Sequence, residues 1–333
     1  MKYFAIALAM AGLAGAQTPA VSIRPNTASL GRESASAIAG VGRPGVPILG
    51  YVAGPGPLDL REIVGTSKAA QLGEKLAVPS DVKRLLVPPR EHYLLLENVA
   101  AEPLAVWLPS KGAVGAAIAG AMAHPDVAVF SARGEAVVLY VKSGGRLQVV
   151  SGLPGQPVVA AQPEIARLGE AVNFAVSDDG AVVVGEFAGG DALFSIRGAG
   201  WRRLPAAYGA LGMAFVPNTH NLLVSDSAQP NLTIVEIGQD EQPARFLLDG
   251  IKADRLAFTK EGGQLLAASS SQGKLWTVDL QTATVEATSS GVIGALLPLR
   301  DGHTFLLSPA PALSLLNVAV ESDGSVGLVP VKQ

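Results

Sequence analysis

Residues 275–291 read LWTVDLQTATVEATSSG. An apolar run ends in Val278-Asp279-Leu280. A polar turn covers Gln281 to Ala283, and a second, β-branched run begins at Thr284. Two short apolar runs joined by a tight polar turn are the signature of an antiparallel hairpin. The fold therefore depends on whether the rest of the chain repeats this hairpin.

It does. Upstream, each copy shows an apolar strand, a turn, a second apolar strand, a loop, a third strand, a turn and a fourth strand. The first turn falls at Pro89-Arg90, Arg133-Gly134, Asp179-Gly180, Asn218-Thr219, Gly262-Gly263 and Asp301-Gly302, so successive second members are 44, 46, 39, 44 and 39 residues apart. A period of about 42 residues with four strands per unit is the range of propeller blades. First and second strands, such as DVAVFSA with AVVLYVK, are apolar on both faces, as sheets packed between neighbouring sheets require. Fourth strands such as TVEATSSG are more polar, as outer strands are.

Six full units cover roughly residues 82–331. Upstream, VPILGYV and LDLREIVG, at about 47–64, read as a third and a fourth strand, and residues 18–46 could supply the missing inner pair, with AVSIRP the best candidate. The expectation is an all-β, seven-bladed propeller of four-stranded antiparallel blades with an irregular first blade. The alternative is six blades with 47–64 as an appendage. Residues 65–81 (GTSKAAQLGEKLAVPSD) read as a connection with a short helix or an irregular loop.

Composition agrees with the repeat. Of 333 residues, 49% are hydrophobic and 16% charged, enough apolar surface for a large core, and 38 Gly with 23 Pro favour turns over helices. The net charge of −3 has no basic cluster, so nucleic acid is not an expected partner. There is no cysteine, which excludes disulfides, thiol catalysis and cysteine metal sites. The N-terminus, MKYFAIALAMAGLAGAQ, has the form of an export leader. Lys2 begins it, Phe4–Leu13 is an apolar run too short to span a bilayer, and Ala14-Gly15-Ala16 is an A-x-A cleavage site. The expected organisation is a leader at 1–16, a flexible segment at 17–46 that could contribute to the first blade, and a propeller at 47–333. The product is expected to be secreted or periplasmic, without a membrane helix, and monomeric.

The opening stretch resembles the YVTN-type propeller repeat, in which a V-D-L/T-x-x-V core precedes a strand ending in Gly. NLLVSDSAQPNLTIVEIG, at 221–238, is a looser match, and the early units at 104–115 and 146–160 lack the Asp-Leu turn. The resemblance implies a seven-bladed propeller in an exported bacterial protein. Relatives of that kind include lactonases, quinoprotein dehydrogenases and binding proteins. Only 5% of residues are aromatic, which argues against a quinone site.

Propeller ligands bind where the loops after the second strands converge. Those strand ends carry Glu97, Lys142, Glu186, Asp226, Ser270 and Pro309. A partial acidic ring of this kind attracts cations or polar ligands, so Glu97, Lys142, Glu186 and Asp226 are the candidate ligand-binding residues. A metal, if bound, would be a hard ion such as Ca²⁺ on Glu97, Glu186 and Asp226. No cofactor is otherwise expected. His92, His220 and His303 follow first turns on the opposite rim, too far apart to share a zinc ion, and His124 precedes Pro125 in a loop. All four read as turn residues. No G-x-S-x-G occurs, and no catalytic set is assigned. The expected role is a scaffold that binds a protein or carbohydrate partner through its funnel-side loops. The alternative is a metal-assisted, lactonase-like hydrolase using the funnel carboxylates.

Overall fold

The computed structural model describes residues 47–330 except 54–57, 91, 101, 209, 227, 239–243, 290–292, 309–315 and 321–325. The expected leader and the segment 17–46, with AVSIRP, lie outside the described residues.

The chain folds as an all-β propeller of antiparallel sheets. Blade I holds β4 (Val82–Leu86), β5 (Leu94–Asn98), β6 (Ala105–Leu108) and β7 (Ala113–Ala117). It is preceded by a sheet of β1 (Ile48–Ala53), β2 (Leu60–Thr66) and β3 (Ala69–Lys75). Blade II is β8 (Val127–Phe130), β9 (Ala136–Val141), β10 (Arg146–Ser151) and β11 (Val158–Ala161). Blade III is β12 (Ala171–Val176), β13 (Val182–Phe187), β14 (Asp191–Ile196) and β15 (Trp201–Tyr208). Blade IV is β16 (Ala210–Phe215), β17 (Asn221–Asp226), β18 (Asn231–Glu236) and β19 (Ala244–Asp249). Blade V is β20 (Arg255–Phe258), β21 (Gln264–Ser269), β22 (Lys274–Asp279) and β23 (Thr284–Ser289). Blade VI is β24 (Ala295–Pro298), β25 (Thr304–Ser308), β26 (Leu316–Val320) and β27 (Val326–Pro330).

There are thus six four-stranded blades among the described residues, not seven. The sheet at 48–75 has three strands. Its first two are not the third and fourth strands of a blade: β3 lies beside β27, the outer strand of blade VI, so β1 runs innermost. Residues 69–75 form a strand instead of a helix or an irregular loop, because β2 pairs with them from Arg61↔Lys75 to Thr66↔Ala69.

The double-sided apolarity of the second strands follows from the packing. Successive side chains of a strand point to opposite faces. In β9, Val137 and Leu139 pack toward blade I, whereas Val138 and Tyr140 pack toward blade III. In β25, Phe305 and Leu307 join the blade V interface, and Leu306 joins the three-stranded sheet. Seven apolar clusters result, one at each interface between neighbouring sheets. Leu49 and Ile63 meet Leu297 and Leu306 of blade VI, and Tyr51 and Leu60 meet Leu85 and Leu94 of blade I. The three-stranded sheet therefore closes the ring.

The side of the ring bearing the first turns is stitched across its axis. Arg90 takes the left-handed conformation (φ 62°) that glycine occupies at Gly134, Gly180, Gly262 and Gly302 in the corresponding turns. Arg90 is 5% exposed. Its backbone N–H donates to Pro298 O of blade VI at 2.9 Å, Nε to Ala132 O of blade II at 3.3 Å and Nη2 to Phe258 O of blade V at 3.3 Å. Asp178 of blade III complements it, accepting from the backbone N–H of Arg133 (2.8 Å) and of Asn218 (2.9 Å) in the neighbouring blades. These two buried residues join blades I to VI, Arg90 through both its backbone N–H and its side chain. At Gly302 a Cβ would lie 2.5 Å from Lys260 Cβ, so this turn also needs glycine for its close approach to the preceding blade.

Arg90→Ala strips two buried carbonyls of their donors and is expected to lower unfolding stability by about 3 kcal/mol. Urea denaturation measures this, and a loss below about 0.5 kcal/mol, the scale of a neutral surface change, would show that the stitch is dispensable.

Candidate functional site

Inside the ring, the inner strands leave only a narrow axial cavity of about 30 Å³, lined by residues such as Val129, Ala175, Phe215 and Ala257. That is room for about one water. The axis itself therefore holds no ligand-sized space, and candidate chemistry sits at its two ends.

Three inner strands are irregular at their funnel ends. Register shifts occur between Val82 and Arg84, Ala171 and Asn173, and Ala210 and Gly212. Bulges re-aim side chains near strand ends and cluster beside functional sites. Across from them, Arg84 pairs with Glu97, Asn173 with Glu186, and Gly212 with Ser225. Glu97, Glu186 and Ser225 are thus equivalent, and Asp226 sits one residue further on.

Glu97 is 2% exposed. Its carboxylate lies 2.7 Å from Arg84 Nε, 3.1 Å from Lys83 Nζ and 2.6 Å from His124 Nδ1. Arg84 Nη2 also donates to Pro125 O. Burial pushes the Glu97 pKa up, but the His124 hydrogen bond and the Arg84 and Lys83 charges outweigh it and hold the group below the ordinary range. This cluster fastens the connection between blades I and II, so Glu97 is committed to Lys83, Arg84 and His124. His124 is more than a turn residue: it belongs to this cluster.

Glu186 and Asp226, in contrast, act on each other. Asp226 is 6% exposed and accepts from the backbone N–H of Ala228 at 2.6 Å. Glu186 is half-buried. Burial, reinforced by the Asp226 charge, pushes its pKa up to about 7. A carboxyl poised there can donate a hydrogen bond or exchange a proton near neutral pH. Lys142 stands apart: it is exposed, and its Nζ bonds Glu170 at 2.9 Å, which with the Glu170 charge raises its pKa. Ser270 is taken by Asp254, which accepts from both its backbone N–H and its hydroxyl. Pro309 lies outside the described residues. The structure therefore brings together Glu186 and Asp226, but not Glu97 or Lys142. Among the described residues, no group of three His, Asp or Glu is placed to hold a metal ion.

A larger feature was not foreseen from the sequence. A cleft of about 840 Å³ opens between blade II, the connection 162–168 and the outer strand of blade III. Arg146, Gln148, Gln162, Arg167 and Trp201 line it. Trp201 is fixed by Nε1–H donation to Glu164 O at 2.9 Å and by an edge contact with Phe187 at 5.6 Å. Gln148 is fixed by Met122 N (2.7 Å) and Gly120 O (2.8 Å). The cleft combines residues from four separate segments, which a single-strand pattern does not reveal.

No family model and no curated protein matches the chain. Among solved structures it is similar to a functionally unknown protein from Desulfotomaculum acetoxidans DSM 771, with 12% identity over 85% of this chain and 95% of that one and a TM-score of 0.57. It is also similar to a proposed 6-phosphogluconolactonase from Bacteroides fragilis NCTC 9343, with 11% identity over 86% of this chain and 94% of that one and a TM-score of 0.54. Both likenesses are likenesses of fold. Among the described residues, no helix is long and apolar enough to cross a membrane.

Folded Glu186 keeps its proton up to about pH 7, whereas the ordinary value is 4.5. Between these limits the folded state binds more protons than the unfolded one, so stability falls as pH rises. The shift sets a ceiling of about 3 kcal/mol at alkaline pH, and partial solvent access reduces it to about 1–2 kcal/mol. Glu186→Gln is expected to recover that amount at pH 8 and to be neutral at pH 4. Thermal melts across this range check it, and equal effects at both pH values would contradict it.

Proposed function

We propose that the protein is a carbohydrate-binding propeller whose funnel-side cleft between blades II and III takes an acidic oligosaccharide. The observation that carries this reading is the cleft of about 840 Å³ with a half-buried tryptophan beside two arginines. Small-molecule sites span about 300–1,000 Å³ and combine a flat apolar wall with a few placed polar groups. Trp201 supplies the wall, against which the apolar face of a sugar ring can lie. Gln162 supplies hydrogen-bonding capacity for hydroxyls. Arg146 and Arg167 outnumber Glu164 at the rim, which favours a sugar carrying a carboxylate. Guanidinium groups bind carboxylates in a bidentate fork.

A second reading rests on Glu186. Its pKa near 7 beside Asp226 is what a general base for ester or lactone hydrolysis requires. The metal-assisted form of that reaction, with Glu97 as a third ligand, is disfavoured because Glu97 is already bound by Lys83, Arg84 and His124.

Calorimetric titration with uronate-containing and neutral oligosaccharides separates the readings. Binding is expected for the acidic sugars, to weaken about tenfold in Arg167→Ala (about 1.4 kcal/mol) and to be lost in Trp201→Ala. Arg167 is exposed, so its loss leaves the fold intact. Absence of binding to every acidic sugar, or unchanged affinity in Arg167→Ala, would overturn the carbohydrate reading.

A further inference from the structure

On the opposite, turn-bearing side of the ring lies a second pocket, of about 120 Å³. Its lining includes Arg90, His92, Arg133, Glu135, Lys260 and Arg300. That is four cations, one histidine and one carboxylate, drawn from the first turns of blades I, II, V and VI. From these residues we infer that the pocket is an anion site for a phosphate group, held by Lys260 in the field of the buried Arg90 guanidinium. The volume equals the liquid share of about four waters, which accommodates a phosphate with little room to spare.

The carboxylates around the cations offset them only in part: Asp178, Glu261 and Asp301 act on Arg90 through space, but each of the surrounding carboxylates has other partners. Glu135 is paired with Arg133, whose Nε lies 3.1 Å from Glu135 Oε1. Asp178 is used by the backbone N–H groups of Arg133 and Asn218. Asp301 accepts from His303 N, Thr304 N and Thr304 Oγ1. Glu261 faces His303 Nε2 at 3.7 Å. Arg300 lies over the Tyr51 ring, with 4.7 Å from its guanidinium carbon to the ring centre, and its charge also reaches Glu62. Lys260 forms no ion pair among the described residues.

Arg90 gives the second, independent indication. It is 95% buried by the 5% exposure noted above. Its Nε and Nη2 are used, but Nη1 is buried without a hydrogen-bond partner. An unsatisfied charged donor of this kind is costly, and its uncompensated charge adds to the field that an oxyanion in the pocket meets. His92 senses the same field: burial lowers its pKa, and the Arg300, Lys260 and Arg90 charges lower it further. A bound dianion offsets those charges and raises it again. The site lies across the ring from the cleft and stands independently of the carbohydrate reading.

The test titrates the full-length protein with inorganic phosphate at pH 7.5 and follows the ring signals of His92 by NMR, assigned with His92→Gln. A saturable movement is expected, absent with chloride at equal ionic strength and accompanied by a rise in the His92 pKa. Lys260→Gln, at an exposed position, is expected to weaken it about tenfold (about 1.4 kcal/mol). Arg90 is left intact because the fold rests on it. A second titration with glycerol 3-phosphate distinguishes the source. Comparable saturation means that the pocket takes phosphate esters, and saturation by inorganic phosphate alone means that it takes the free ion. A non-saturating response shared with chloride, or unchanged affinity in Lys260→Gln, would overturn the proposal.

Discussion

Every sheet in this protein is apolar on both faces, and that single constraint decides the architecture. A sheet with two apolar faces needs a neighbour on each side. A row of such sheets satisfies all its members only by returning on itself. Six four-stranded blades leave one gap, and β1–β3 fill it by burying Leu49 and Ile63 against blade VI and Tyr51 and Leu60 against blade I. Among the described residues, three strands fill that position. Closure needs two apolar faces on the strands nearest the axis, and β1 and β2 provide them.

Closure by packing fixes the ring but not the two ends of its axis, and these ends differ. The turn side is tied by Arg90 and Asp178, whose hydrogen bonds run to backbone groups of neighbouring and opposite blades. Backbone acceptors suit this task because they are present whatever the side chain. The funnel side is tied locally, by the Glu97 cluster between blades I and II, by Lys142 and Glu170 between blades II and III, and by Ser225 Oγ, which accepts from Ala253 N at the entry to blade V. Glu186 exchanges its proton near neutral pH because burial, reinforced by the Asp226 charge, raises its pKa to about 7. Rigidity on one side and adjustable polar chemistry on the other is the division of labour that loops on a fixed scaffold provide.

Much of the fold was legible because it is periodic. The first turns at Arg133-Gly134, Asp179-Gly180 and Gly262-Gly263 lie at the ends of strands whose alternation is local, and local patterns survive in sequence. The segment 69–75 was not legible. Ala-Ala-Gln-Leu-Gly-Glu-Lys has helical composition, and it is a strand only because β2 offers it a partner. The candidate site was read in part. Glu186 and Asp226 were singled out from strand ends, although Asp226 corresponds to Asn98 and Phe187, one residue beyond Glu97 and Glu186. The fate of Glu97 was hidden, since His124 approaches it from 27 residues away. The same holds for Arg90, whose partner Phe258 is 168 residues distant. Contacts across the ring leave no trace in spacing.

Native-state hydrogen exchange tests ring closure most directly. If the three-stranded sheet is a member of the ring, the amides of β1 open with the same free energy as those of β4 and β24, because no interface can be lost alone without exposing two apolar faces. If β1–β3 exchange through a separate opening of low energy while β4 and β24 keep their full protection, the sheet is an appendage and the closed-ring account is wrong.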